Sequence, residues 1–374
     1  MSSRTVYATL LSVVVLISAA GLILDTDLSE SANGTEDLRI PSLYEGVNST
    51  YEDFEYIESD GKITITGYLG SGGVITIPSE IPDVGIITGI GTGAFENKGI
   101  RGLVIPASIT HIDDYAFSNN ATLGSIEIKN SEGIDPNDIT IGDFAFKDCK
   151  FMTSLVVERN NITIGNDTFK GCSSGTSGNL SNNKYVLKGN NITIGDNAFQ
   201  GCNKVLSFTI EGTNDVTIGE NAFQDCICAT SIIVKGTNNV VIEDQAFKGC
   251  STESNATLEL KGNNITIGVS AFEKCTKFTS IIIEGIDEVN IGNYAFTRSA
   301  DSTNLNAELE LRGKSVTVGN SVFSYCKGLV SAMVEGTDVV LGSSAFDGCE
   351  SITQLFVEGT DSTSFGNYAF ENCK

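Results

Sequence analysis

The chain has 374 residues, with forty glycines, five prolines, no tryptophan and a formal net charge of −24. An apolar content of 40% is enough for a continuous core. The acidic balance excludes a nucleic-acid partner, because a phosphate backbone demands clustered lysine and arginine.

Just after Arg4 comes an uncharged run of nineteen residues, Val6 to Leu24, followed by Asp25 and Asp27. As a helix it spans about 28 Å, close to the hydrocarbon thickness of a bilayer. A base before it and acids after it place the N-terminus inside and the remainder outside. The competing reading is a cleaved signal peptide, with its apolar region ending near Ile17 and the small residues Ser18 and Ala20 before the cut. Residues 1–24 are thus expected to be a signal peptide or an N-terminal membrane anchor, touching the membrane through residues 6–24 if uncleaved. On either reading the chain is exported to the cell surface or beyond it. Residues 25–60 then hold eleven acids against one base, Arg39. They are expected to form a self-repelling, disordered linker.

From residue 61 onward the chain repeats itself. Twelve phenylalanines (Phe95, Phe117, Phe146, Phe169, Phe199, Phe223, Phe247, Phe272, Phe296, Phe323, Phe346 and Phe370) recur at spacings of 22 to 30 residues, most of them 23 to 25. An apolar residue stands five positions before each, and a cysteine three positions after nine of them. Each unit alternates apolar and other residues twice, as in "FTSIII" and "VNIGNYAF", which predicts two short strands per unit. Neither strand can bury a face alone, but stacked units share one core. The expectation is a mostly β, right-handed solenoid of about twelve coils of 22–30 residues, spanning 61–374.

The units read "IGxxAFxxC" with "LxxIxI" and resemble the BspA-like leucine-rich repeat family of microbial surface proteins. The opening "ITITGYLGSGGVITIPSEI" is similar to the hairpin that often starts such arrays, and Ile77-Pro78 and Ile105-Pro106 keep the family's strand end. The resemblance implies an extracellular adhesive or protein-binding role and no shared catalytic activity.

The nine aligned cysteines run from Cys149 to Cys373, with Lys98, Asn120 and Ser299 at the same offset in the other coils. Stacked one rung apart, their Cβ atoms lie about 4.8 Å from one another, too far for the roughly 3.8 Å of a disulfide, which favours buried free thiols. Cys228 lies off the ladder and is either a lone reactive thiol or a small turn residue. No CxxC pair or calcium-loop spacing points to a metal, and no cofactor is expected. His111 is the single histidine and reads as an outward strand residue, so catalysis is not expected.

Two outward columns remain. The residue after the first strand alternates in charge (Lys129, Glu158, Lys188, Glu211, Lys235, Lys261, Glu284, Arg312, Glu335, Glu358), which reads as control of strand register. The middle of the first strand is mostly apolar: Val104, Val156, Val186, Ile233, Ile282, Met333 and Phe356, interrupted by Glu127, Thr209, Glu259 and Glu310. That stripe is the candidate binding surface for a protein or other surface macromolecule. A self-associating component of the cell envelope is the alternative role. The second strand's outward threonines could order water at an ice surface, but they lack the paired threonines of such arrays, and threonine is also simply a good strand residue. Nine Asn-x-Ser/Thr sequons, among them Asn161, Asn191 and Asn264, allow glycosylation or merely reflect the repeat. At the C-terminus no capping segment is evident. Leu355, Val357, Phe365 and Phe370 are expected to be partly open, with self-association through the C-terminal coil or fraying of 351–374 as the outcome.

Overall fold

A computed structural model describes residues 48–128, 138–175, 183–253, 255–301 and 305–373. The expected signal peptide or anchor (1–24) and the first part of the acidic linker lie outside these residues.

The repeating unit folds as a coil with three walls. Coils are numbered here by their phenylalanine, so coil 1 carries Phe95, coil 4 Phe169, coil 6 Phe223 and coil 12 Phe370. In coil 4 the first strand is Ser154–Glu158, the second is Asn161–Ile164, and a turn through Phe169 closes the circuit. Each first strand pairs in parallel with the first strands of the neighbouring coils, and second strands do the same, as in Val156 beside Val186 and Thr163 beside Thr193. The turns make the third wall. There the amide of Phe199 donates to the carbonyl of Ala222, and that of Phe223 to Ala246, both at 2.6 Å. All three walls satisfy their backbone groups from coil to coil, as buried polar groups must. In coils 11 and 12 single strands, Leu329–Leu341 and Gln354–Phe365, run through both sheet walls. The protein is an all-β solenoid of twelve coils, without a helix among the described residues.

Local chemistry explains the sharp corners. Two positions from each phenylalanine, on both sides, the backbone takes the left-handed conformation, for example Asn221 (φ 55) and Asp225 (φ 61) around Phe223. Short polar residues and glycine tolerate that conformation best. The glycine four residues before the phenylalanine has a different purpose. A Cβ on Gly292 would lie 2.8 Å from the carbonyl carbon of Gly268, so glycine lets successive corners touch.

The interior is a continuous stack of rings. From Phe95 to Phe370 every neighbouring pair of the twelve is stacked, with centroids 4.7 to 5.8 Å apart and interplanar angles of at most 19°. Isoleucine, leucine and valine from both sheets fill the remaining volume.

The N-terminal end departs from expectation. Three strands, β1 (Ser49–Tyr51), β2 (Phe54–Ser59) and β3 (Lys62–Tyr68), pair antiparallel in chain order, and β3 then pairs in parallel with Gly85–Ile90 of coil 1. The stretch expected to be linker up to residue 60 therefore ends earlier, because Phe54 and Tyr56 turn inward while the glutamates around them face water. Likewise, the starting hairpin is formed by β2 and β3. The strand Gly73–Thr76 already pairs in parallel with Ile100–Val104 of coil 2. Tyr68 stacks on Phe95 at 5.3 Å and Phe54 meets the same ring edge-on at 6.2 Å, so this element closes the end of the ring stack.

Candidate functional site: the outward sheet face

On the first-strand sheet, side chains alternate between core and solvent, which leaves three outward residues per coil. Parallel register then draws them into three columns. In the middle column Val104, Glu127, Val156, Val186, Thr209, Ile233, Glu259, Ile282, Glu310, Met333 and Phe356 are Cα partners in unbroken succession. All seven apolar residues expected on the stripe thus share one face. Their exposure differs: Val104 is 53% and Phe356 47% exposed, whereas Val156, Val186, Ile233, Ile282 and Met333 are half-buried by their neighbours in the column.

The column to one side carries alternating charge, and its register is as expected from Glu158 to Glu358. Lys129 lies outside the described residues. Lys188 meets Glu211 at 2.9 Å, and that contact raises the lysine pKa. Further along, Lys235 and Lys261 are like-charged neighbours, and Glu259 of the middle column answers both at 3.1 Å. Burial pushes the Glu259 carboxyl up, but the hydrogen bonds from Lys261 and Lys235 outweigh it and leave its pKa lowered. Lys261 also reaches Glu284 at 2.9 Å, while Arg312 contacts Glu310 at 3.4 Å and Glu335 at 3.0 Å. The acids interrupting the apolar stripe at coils 8 and 10 are therefore held by the charge column. The signal was present in the sequence, since Glu259 sits beside the first like-charged pair of that column. The other flanking column is small and polar: Ser125, Ser154, Ser207, Ser231, Thr257 and Ser280, with Lys184 between them.

Other candidate features resolve into architecture. All ten cysteines are free. Each ladder thiol donates to the phenylalanine carbonyl of the preceding coil, as Cys250 does to Phe223 at 2.9 Å and Cys275 to Phe247 at 3.0 Å. Ser299 makes the same bond to Phe272 at 2.6 Å, and the Asn120 amide makes it to Phe95 at 2.8 Å. Cys228 is buried near Glu253, and burial pushes its pKa up, so it is a turn residue of low reactivity. The sequon amides of Asn191 and Asn264 donate to Asn161 and Asn239 of the preceding coils at 2.8 and 3.1 Å. Asn161 does the same to Asp138 at 2.8 Å, so these three amides belong to an inter-coil ladder. His111 faces outward on the second sheet between Gly89 and Thr140. Among the described residues no cluster of three or more histidine, cysteine or acidic side chains is arranged to hold a metal ion.

Stacked parallel coils, an inward ladder of phenylalanine and cysteine, and an outward sheet in continuous register define a leucine-rich-repeat-type solenoid. Residues 88–226, 139–255, 178–303 and 242–374 each match the BspA type leucine rich repeat region, and the chain belongs to that family. No curated protein matches the sequence. Among solved structures, the leucine-rich repeat protein of T. pallidum is 24% identical, with a TM-score of 0.41 over 62% of this chain and 91% of its own. One from Bacteroides ovatus is 20% identical, with a TM-score of 0.42 over 88% and 92%. A leucine-rich cell surface protein of Faecalibacterium prausnitzii is 17% identical, with a TM-score of 0.40 over 84% and 96%.

Proposed function

We propose that the protein is exported to the cell surface, held there by residues 6–24 where these are not removed, and binds a macromolecular partner through its outward first-strand sheet. One observation carries this reading: a single uninterrupted register gathers seven apolar side chains on a solvent-facing sheet, where polar residues would ordinarily stand. Membership of a repeat family of surface proteins and the acid-flanked apolar N-terminal run agree with it. The reading assigns no catalysis, cofactor or nucleic acid to the chain.

The test compares two faces of the same solenoid. Surface-biotinylated cell extract is passed over the immobilised full chain, the Val186→Asp/Ile233→Asp variant and the Thr163→Asp/Thr193→Asp variant of the second sheet. Bound protein should be lost only with the first variant. Equal capture by all three would dismiss the first sheet as the binding face.

A further inference from the structure

We infer that the first-strand face of coils 2 to 9 is a self-complementary interface for a second copy of this chain, laid face to face with its axis reversed. This rests on the reading that the face is a docking surface, and names the occupant.

The inference comes from the order of residues along the columns. From coil 2 to coil 9 the middle column runs Val104, Glu127, Val156, Val186, Thr209, Ile233, Glu259, Ile282. By chemical type six of these eight positions match on reversal, and the remaining two, Val186 and Thr209, are β-branched side chains of similar size. A two-fold axis along the strand direction, between coils 5 and 6, therefore sets Val104 against Ile282 of the second copy, Val156 against Ile233 and Val186 against Thr209. Such an isologous contact requires a patch that matches its own reversal.

The central four coils of the charge column obey the same operation with the opposite parity. Across coils 4 to 7 it runs Glu158, Lys188, Glu211, Lys235. Reversal places Glu158 against Lys235 and Lys188 against Glu211, so every contact in this stretch joins opposite charges. The one like-charged meeting in the middle column, Glu127 with Glu259, falls where Lys235 and Lys261 already hold Glu259. On the other flank Ser125, Ser154, Ser207, Ser231, Thr257 and Ser280 are short enough to let two sheets approach, and Lys184, the one long side chain among them, falls opposite Ser207 of the second copy.

The even spacing of the coils permits the contact. Phenylalanine spacings of 4.7 to 5.2 Å between coils 1 and 11 match the roughly 4.8 Å between parallel strands, so the turn wall does not wedge the sheet into a strong curve. Eight strands, each about 13 Å wide across three outward residues, offer roughly 500 Å² in projection. That is less than the roughly 800 Å² per partner of stable complexes, so the dimer is reversible.

Charge exchange tests the pairing on the full chain. Sedimentation equilibrium of the wild type should show a reversible monomer–dimer step. Lys188→Glu and Glu211→Lys each create two like-charged contacts in a homodimer, and each should weaken dimerisation at least about tenfold. An equimolar mixture restores both opposite-charge contacts and should recover dimers, while circular dichroism confirms that each variant is folded. A wild type that remains monomeric, or variants that dimerise unaltered, would overturn the inference. If a monomeric wild type still loses extract capture on Val186→Asp/Ile233→Asp, the docking surface stands and only its occupant is wrong.

Discussion

Cys373 is the ladder thiol whose surroundings differ most from the rest. It is half-buried and donates to the Phe346 carbonyl at 3.3 Å, and the neighbouring Cys349 holds its pKa down to about 7. At Cys172, Cys202, Cys226, Cys275 and Cys326 burial pushes the thiols up, to about 12 at Cys326. Thiolate is the attacking species, so alkylation of native protein should label Cys373 alone, at a rate that climbs as pH rises through about 7. Peptide mapping after a short iodoacetamide pulse checks this, and equal labelling of Cys250 would contradict the buried ladder. Cys228, which its place off the ladder left as either a lone reactive thiol or a turn residue, should stay unlabelled. Gly292 offers a second test at this scale. Gly292→Ala pushes a methyl into the Gly268 backbone, an overpacking that costs about 1–3 kcal/mol. Chemical denaturation measures it, and an unchanged midpoint would show that the corner yields.

Individual strands are held by side-chain ladders as well as by backbone bonds. Glu259 and Glu273 both have lowered pKa values in the fold. For Glu273 burial pushes upward and the bonds from Lys248 and Lys274 win. A carboxyl whose folded pKa lies below its ordinary 4.5 contributes stability that is complete above that value and is lost as pH falls through the folded pKa. Melting temperature should therefore drop on acidification below about 4.5, and Glu259→Gln should shrink that drop. At neutral pH the same substitution leaves Lys235 and Lys261 facing each other, at about 0.2–1 kcal/mol for partly exposed ion pairs. Thermal scans from pH 3 to 7 on both proteins decide it, and parallel pH profiles would assign the acid sensitivity to other groups. The final strand, Gln354–Phe365, behaves differently from those inside the stack. Among the described residues it pairs only with Leu329–Leu341, and its inward-directed Leu355 and Phe365 are 39% and 53% exposed. Phe370 remains half-buried, stacked on Phe346 at 5.8 Å.

At the scale of the whole molecule, contacts run between neighbouring coils and cooperativity has to pass through each of them. Phe223 is fully buried, stacked between Phe199 at 4.8 Å and Phe247 at 4.7 Å, with Phe208 edge-on at 4.8 Å. Phe223→Ala should cost about 3–5 kcal/mol in the middle of the stack. In a nearest-neighbour array that loss divides the molecule into two blocks, so one unfolding transition should become two. Calorimetry reads this directly, and a single unshifted transition would be incompatible with a ring stack that carries the stability.

The period of the phenylalanines and the offsets around them were enough to determine the coil count, the inward ladders and the membership of the outward column. A fixed offset in sequence becomes a fixed position in space once equal coils stack in parallel, which is why Val104 and Phe356 could be assigned to one face. What lies about 4.8 Å away on the next coil is some two dozen residues distant in the chain, and only the tertiary structure decided it. Thus Glu259 reads as a break in an apolar stripe until Lys235 of the preceding coil is seen to reach it beside Lys261. Phe54 and Tyr56 read as part of an acidic spacer until β3 offers them a core to close. The free thiols follow the same rule, since spacing placed the cysteines in line, but the Phe223 carbonyl beneath Cys250 gives its thiol a partner.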